Sequence, residues 1–473
     1  MRRLILALAV FGALLLAAFG ASARGGQDAR SAKEPVTISF WVPFTARELG
    51  VVNSALAGFH KKYPWITVKS TGNTNPTKLT AAIRGGNAPD AVALFETDTL
   101  GAFCASGAWI DLSSHIKSDR LNMNIFPKTI QNYTAYENKR CALPLLADAY
   151  GFYYNKAMFA KAGITGPPTT LAQLSAYAKR LTVKNADGSI KVLGFNPLMN
   201  WYQNSPVHFG PMTGATWMKD GKSNLAGDPN WAALLRWQKS LVDWFGYDNL
   251  VKWQAKAGDE WTASNAFESG KLAMNLDGEW RTAFVKADAP NISYATAPHP
   301  VSKPSLFGSG FVIGSIMGIP KGAEHEDEAW LLLKYLATDA KAVTGLSLGL
   351  RNVPSTLPTL KNPVLRKDKQ FKVFLDIFAN PKSSTQPVLK IGAQNQTLFS
   401  TFISKWQAGH VPSKDLNKGL ANVDKQIDAA IGQSGQVPCR PRPLRARSRP
   451  QWCGTAGGPS ARPLGAAGVS CSS

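Results

Sequence analysis

Eight of the 14 tryptophans in this 473-residue sequence fall between Trp201 and Trp280, a concentration with chemical meaning. Aromatic faces stack on the apolar C–H faces of sugar rings, while carboxylates and amides bind the hydroxyl groups. Trp231, Trp237 and Trp244 recur at helical spacing and read as core. Trp201, Trp217 and Trp280 stand near Gly, Pro, Asn or Asp, where loops meet elements, and are the better ligand candidates. Glu96, Asp98 and Asp148 are acids of the kind that hold hydroxyls, and two carboxylates at a sugar are also what a glycosidase requires. Against an enzyme, the chain has no G-x-S-x-G, no Walker P-loop, no H-E-x-x-H and no G-x-G-x-x-G after a strand. Its six histidines are scattered and no Cys/His spacing resembles a metal site. A binder that uses no cofactor and no metal is the leading expectation; a secreted glycosidase is the third.

The elements that must position these residues begin with the β-branched and aromatic strand Val36 to Val42. Leu49, Val52, Leu56 and Phe59 then form the stripe of an amphipathic helix that Pro64 stops. A strand at Ile66 to Val68, a helix from Pro76 to Gly85 and a strand at Asp90 to Phe95 follow. Strand, helix, strand, helix and strand within 60 residues imply an α/β sheet with right-handed crossovers. Ligand crevices of such sheets lie beyond the C-terminal strand ends, which places Trp41 to Phe44 and Phe95 to Asp98 there. An aromatic strand runs to Asn155, and a helix capped by Thr170, with Gln173 as its capping-box partner, comes next. Asp228-Pro229 opens a further helix, and the rest of the body is helical to about Gly432.

Bulk properties bound the class. Hydrophobic residues make up 44% of the chain, enough for a large core and more than one domain. Arg2 and Arg3, an apolar run from Leu4 to Phe19 and Ala21-Ser22-Ala23 have the three parts of a secretory signal, assigned to residues 1–23. At about 16 residues the run is short for a spanning helix, which needs ~20; an uncleaved anchor is the alternative. No cysteine stands near the cleavage point, so no lipid anchor is expected. Two N-terminal arginines and six in residues 433–473 account for eight of the formal +22, leaving +14 on the body. Its lysines are dispersed among acids and form no nucleic-acid-type patch, so no nucleic-acid partner is expected. Residues 433–473 lack acids, lysine and apolar periodicity and read as a disordered tail or an out-of-frame extension. Of five cysteines, only Cys104 and Cys141 lie in the body. In an exported protein they can pair, stabilising by roughly 3–4 kcal/mol for a loop of about 37 residues, or remain two buried thiols.

Ordered segments along the body carry a family resemblance: Ile38 to Trp41, Gly86-Asn87-Ala88-Pro89-Asp90 and Ser106 to Leu112. Leu143-Pro144 through Tyr153-Tyr154-Asn155-Lys156, Lys161 to Ile164 and Pro167 to Thr170 continue it. Phe267 to Met274, Gly278-Glu279-Trp280 and Glu328 to Leu336 complete it. The sequence resembles the family-1 extracellular solute-binding proteins of ABC importers, of the maltose- and glycerol-phosphate-binding type. The resemblance covers roughly residues 36–432 and implies the type II periplasmic-binding fold, two discontinuous α/β lobes joined by crossing segments. Lobe 1 would comprise 36–146 and 296–350, and lobe 2 147–295 and 351–432, with crossings near Leu146–Asp148, Tyr294–Pro298 and Leu350–Val353. It further implies a monomer that delivers a sugar or polyol to the transmembrane subunits of an ABC permease. By similarity Phe95 and Asp98 face the ligand, Asp148 is a hinge-side acid and Trp280 a stacking aromatic, while Trp41 and Trp201 match less closely. Glu96 and Tyr150 join them from the strand-end argument. A phosphorylated polyol is the second reading and would need a cation in the cleft, for which Arg351 is the candidate. Where the family often has Gly-Pro-Trp this chain has Gly278-Glu279-Trp280, and a carboxylate beside the ring would favour a hydroxyl-rich or cationic ligand.

Overall fold

The computed structural model describes residues 33–433. The signal-peptide assignment to 1–23 and the tail from 434 onward lie outside the described residues. Eleven strands occur among those described: β1 (Val36–Trp41), β2 (Ile66–Thr71), β3 (Ala91–Leu94), β4 (Leu143–Asn155), β5 (Val183–Lys184), β6 (Ile190–Phe195), β7 (Met218–Lys219), β8 (Lys222–Ser223), β9 (Leu272–Gly278), β10 (Tyr294–Ala297) and β11 (Val312–Gly318). Nine form one mixed sheet in the order β2-β1-β3-β11-β4-β9-β6-β5, with β10 also paired to β4; β7 and β8 form a hairpin.

The 13-residue strand β4 joins the two parts of this sheet. Its first half, from Leu143 to Ala149, pairs with β11. Its second half pairs with β9 through Tyr150–Tyr154 and with β10 through Phe152–Asn155. Every residue of β4 but Asp148 and Tyr154 is buried, which fits its nearly continuous apolar sequence. Val353 forms a bridge with Ala147, whose N–H donates to the Val353 carbonyl at 2.8 Å. β10 pairs only with the second half of β4 and β11 only with the first. The chain therefore changes its sheet partner between Ala297 and Val312.

The helices begin where capping chemistry places them. Asn75 accepts from the Lys78 N–H at 2.9 Å ahead of the helix Pro76–Arg84. Thr170 Oγ1 accepts from Gln173 N–H at 3.1 Å, while Gln173 Oε1 reaches one residue further back, to the Thr169 N–H at 2.8 Å. Asp228 caps the helix Pro229–Phe245 through the Asn230 N–H at 2.9 Å. The helical tryptophans divide: Trp231 is fully buried and Trp237 partly, but Trp244 is 45% exposed beneath the ammonium groups of Lys179 and Lys184. Trp244 is thus not core. Trp217, placed at a loop edge by sequence, packs edge-on against Trp231 at 5.0 Å and Phe399 at 5.5 Å, and belongs to the core. Cys104 and Cys141 form a disulfide.

Candidate functional site

Three strand ends converge on one cavity. Its lining includes Pro43–Thr45 past β1, Phe95–Asp98 past β3, Asp148 and Tyr150 midway along β4, and Trp280 past β9. It encloses about 560 Å³, within the roughly 300–1,000 Å³ usual for small-molecule sites.

Rings supply much of the wall. Tyr150 stacks on His208 with centroids 3.7 Å apart and meets Trp280 edge-on at 5.4 Å. Phe44 and Phe95 meet edge-to-face at 5.0 Å. Trp261 also lines the cavity and is 51% exposed. The guanidinium of Arg281 lies 5.5 Å from its centroid and 4.9 Å from that of Phe284, a cation behind two rings. Arg281 is itself held by Asp277 at 2.8 Å and Glu268 at 3.2 Å, all three buried.

The polar groups are arranged to meet hydroxyls. Burial raises the pKa of Glu96 and of Asp98 above the usual carboxylate value, so a neutral polar partner suits them better than solvent loss alone. Glu96 Oε2, Asp98 Oδ1, Ser205 Oγ and Trp280 Nε1 are buried without a hydrogen-bond partner, and all four residues line the cavity. The other Asp98 oxygen accepts from Gln396 Nε2 at 3.1 Å. His208 donates through Nδ1 to the Gln203 carbonyl, and burial pushes its pKa down to about 4. The ring is neutral at pH 7, with Nε2 an acceptor.

Two acids, the partly buried Asp148 and the fully buried Glu279, are joined through Asn352. Asn352 Nδ2 donates to Asp148 Oδ1 at 2.6 Å and to Glu279 Oε1 at 3.1 Å. Glu279 Oε2 accepts from the Ala149 N–H at 2.8 Å. Burial, and then the neighbouring Asp148 charge, raises Glu279 well above the usual carboxylate range, while burial raises Asp148 to about 6. Both carboxyls are thus shifted toward the protonated form. Glu279 is fully buried and ties β9 to β4 and to residues 352–353. The expectation that it stands beside the ring to select ligand is corrected accordingly.

The structure brings together Phe95, Glu96, Asp98, Asp148, Tyr150 and Trp280. Three sequence candidates fall elsewhere. Trp41 pairs with Thr71 within β1 and β2 and is not among the lining residues. Trp201 stacks on Tyr202 at 3.7 Å and packs against Trp253. Arg351 is taken up by Asp368 at 2.5 Å and lies over the Phe371 ring at 4.4 Å; its neighbour Asn352 lines the cavity instead. No Lys or Arg is among the lining residues. Sequence reasoning missed Trp261, His208, Gln386 and Gln396. Trp261 carried a usable signal, since it stands in the polar stretch Gly258-Asp259-Glu260-Trp261-Thr262 rather than on a helical stripe. Among the described residues no grouping of His, Cys, Asp and Glu suits a metal ion. No helix among them is long and apolar enough to cross a membrane.

Comparison with known proteins agrees with this architecture. The model of the bacterial extracellular solute-binding protein family matches residues 43–343. A Brucella abortus (strain 2308) protein is 25% identical over 266 residues, 55% of this chain; the chain spans 61% of that relative's length. The maltooligosaccharide ABC transporter solute-binding lipoprotein of Streptococcus pneumoniae (strain R6) is 26% identical over 237 residues, 47% of this chain and 49% of its own. Among solved structures, CpMnBP1 with mannotriose bound superposes with a TM-score of 0.72 at 25% identity, covering 83% of this chain and 99% of its own. The sugar-binding protein of Xanthomonas citri gives 0.68 at 18% identity, over 84% and 98%. The fold is thus the two-lobed α/β fold of periplasmic sugar-binding proteins, and the matched family consists of binding proteins, not enzymes.

Proposed function

We propose, from the premise that this chain belongs to the bacterial extracellular solute-binding protein family, that it binds a neutral carbohydrate in the cavity beside Trp280. The observation that carries this reading is the pairing of ring faces with four buried, unpartnered polar atoms on lining residues. Buried polar groups without partners are few in folded proteins, and a polyol supplies both donors and acceptors. A structural relative agrees in kind: CpMnBP1 was solved with mannotriose and with mannobiose bound.

The protein acts as the extracytoplasmic component of an ABC importer and hands its sugar to a membrane permease. It works as an exported monomer whose lobes, 36–146 with 296–350 and 147–295 with 351–432, close on the ligand. Closure is a population shift driven by contacts available only when both lobes touch the sugar. The phosphorylated-polyol reading loses its support, because Arg351 is paired with Asp368 and the lining carries carboxylates without a cation. A thermal-shift screen over mono- and oligosaccharides and glycerol phosphates tests the proposal. A ligand specific to the folded state raises the melting temperature; glycans are expected to do so and glycerol phosphates are not. Stabilisation by glycerol phosphate alone would replace carbohydrate with phosphate in this reading.

A further inference from the structure

Val207, Phe311 and Gln386 line the sugar cavity and also an adjacent cavity of about 700 Å³. All three are buried. Because each touches both spaces, a single layer of side chains separates them there. The second cavity is lined by Gln131, Asn132, Arg140, Trp217 and Met218 among others, so amides and an aromatic edge recur beyond the partition.

The partition is held in place. Gln386 Nε2 donates to Thr97 Oγ1 at 3.3 Å, and its Oε1 accepts from Gln396 Nε2 at 2.8 Å. The same Gln396 amide donates to Asp98, so the wall and an acid of the cavity belong to one hydrogen-bonded chain. Ser384, two residues before the wall, donates its N–H to the Gly310 carbonyl at 3.0 Å and accepts from the Val312 N–H at 2.9 Å. On the other side the backbone of Leu389 lies so close to Gly101 that a Cβ there would stand 2.2 Å from the Leu389 carbonyl oxygen. The segment Ser384–Leu389 is therefore fixed at both ends, and Gln386 between them has little room to swing aside.

We propose that Gln386, backed by Val207 and Phe311, is the wall that sets the length of linear oligosaccharide this protein accepts. The inference rests on the carbohydrate reading above. A glycan seated against Trp280 stops at Gln386, and shortening that side chain joins the two cavities into one longer groove.

The test is calorimetric titration of the full protein with two ladders, mannobiose to mannohexaose and maltose to maltohexaose. For wild type the expected result is a fall in affinity of about tenfold or more between two consecutive members of the ladder it binds, the scale on which a pocket rejects a misfit of a few atoms. Gln386→Ala removes that fall, while Gln386→Met, which keeps the bulk but not the hydrogen bonds, retains it. Melting temperatures of the free variants show that each is folded; Val207→Ala, which thins the same wall, is read by the same criteria if Gln386→Ala does not fold. A fall at the same length in Gln386→Ala, or wild-type affinity independent of length, overturns the wall and leaves carbohydrate binding standing. A wild-type protein that binds neither ladder overturns the carbohydrate reading, and this inference with it.

Discussion

Trp280 lies over Gly278 because glycine leaves room for it: a Cβ at 278 would come within 2.3 Å of the indole carbons. Two substitutions therefore probe one ring. Trp280→Ala is expected to weaken glycan binding by about 2 kcal/mol or more, roughly thirtyfold in Kd, as the loss of a buried aromatic anchor does. Gly278→Ala leaves the indole present but displaced, and a comparable loss of affinity is expected by calorimetry, with unchanged affinity removing the ring from the site. The acid pair gives a pH signature. Asp148 has its folded pKa raised to about 6, above the unfolded value of ~3.9, so the folded state holds the proton more tightly. Its contribution is fully present below pH ~4 and is lost as pH rises through about 6, with a slope of up to about 1.4 kcal/mol per pH unit. Asp148→Asn should lack that part of the slope in denaturant melts between pH 4 and 6; identical slopes would show that Asp148 does not titrate there. At this scale the sequence was only partly legible. Phe95, Glu96 and Asp98 follow from the strand-end rule and Trp280 from its flanking residues. Arg351 was misplaced because nothing local to it announces Asp368, seventeen residues on and 2.5 Å away. Gln386 stands outside any apolar period and Gln396 is a polar residue in the first turn of the helix Gln394–Gln407, so neither has a signature short of the fold itself.

The elements were far more legible, because periodicity and caps are local. The helix expected from the stripe Leu49 to Phe59, stopped by Pro64, spans Ala46–Lys62, and the aromatic strand ending at Asn155 spans Leu143–Asn155. What sequence could not give was partner choice: that β4 changes neighbours midway depends on residues 120 to 174 positions away. The disulfide belongs to this scale. Cys104 lies in the helix Leu100–Ala105, next to the cavity segment Phe95–Asp98, and Cys141 just before β4. Replacing both by alanine is expected to cost about 2–4 kcal/mol in a denaturant melt. Equal stability of the variant and the oxidised wild type would show the bond to be dispensable. The cap at Thr170 is smaller: Thr170→Ala should cost about 1 kcal/mol, measured the same way.

For the whole molecule, the two-lobed α/β class was readable from ordered motifs, and the match of residues 43–343 to the solute-binding family rests on the same stretch of chain. The continuity of one sheet through β4 was not readable, and it matters to function. Asp148, Asn352 and Glu279 meet where β4, the end of β9 and the 352–353 segment come together, so two residues that line the cavity, Asp148 and Asn352, also join these segments. Of the tryptophans between Trp201 and Trp280, Trp280 and Trp261 stand in the cavity wall, while Trp217 and Trp231 are core. The central claim is that this cavity holds one neutral glycan against Trp280. Calorimetric titration of the purified protein with the glycan that most raises its melting temperature tests it most directly, run beside Trp280→Ala. One-to-one binding that Trp280→Ala weakens by roughly thirtyfold or more is the predicted result; binding of equal strength in both proteins, or none to any glycan, would contradict it.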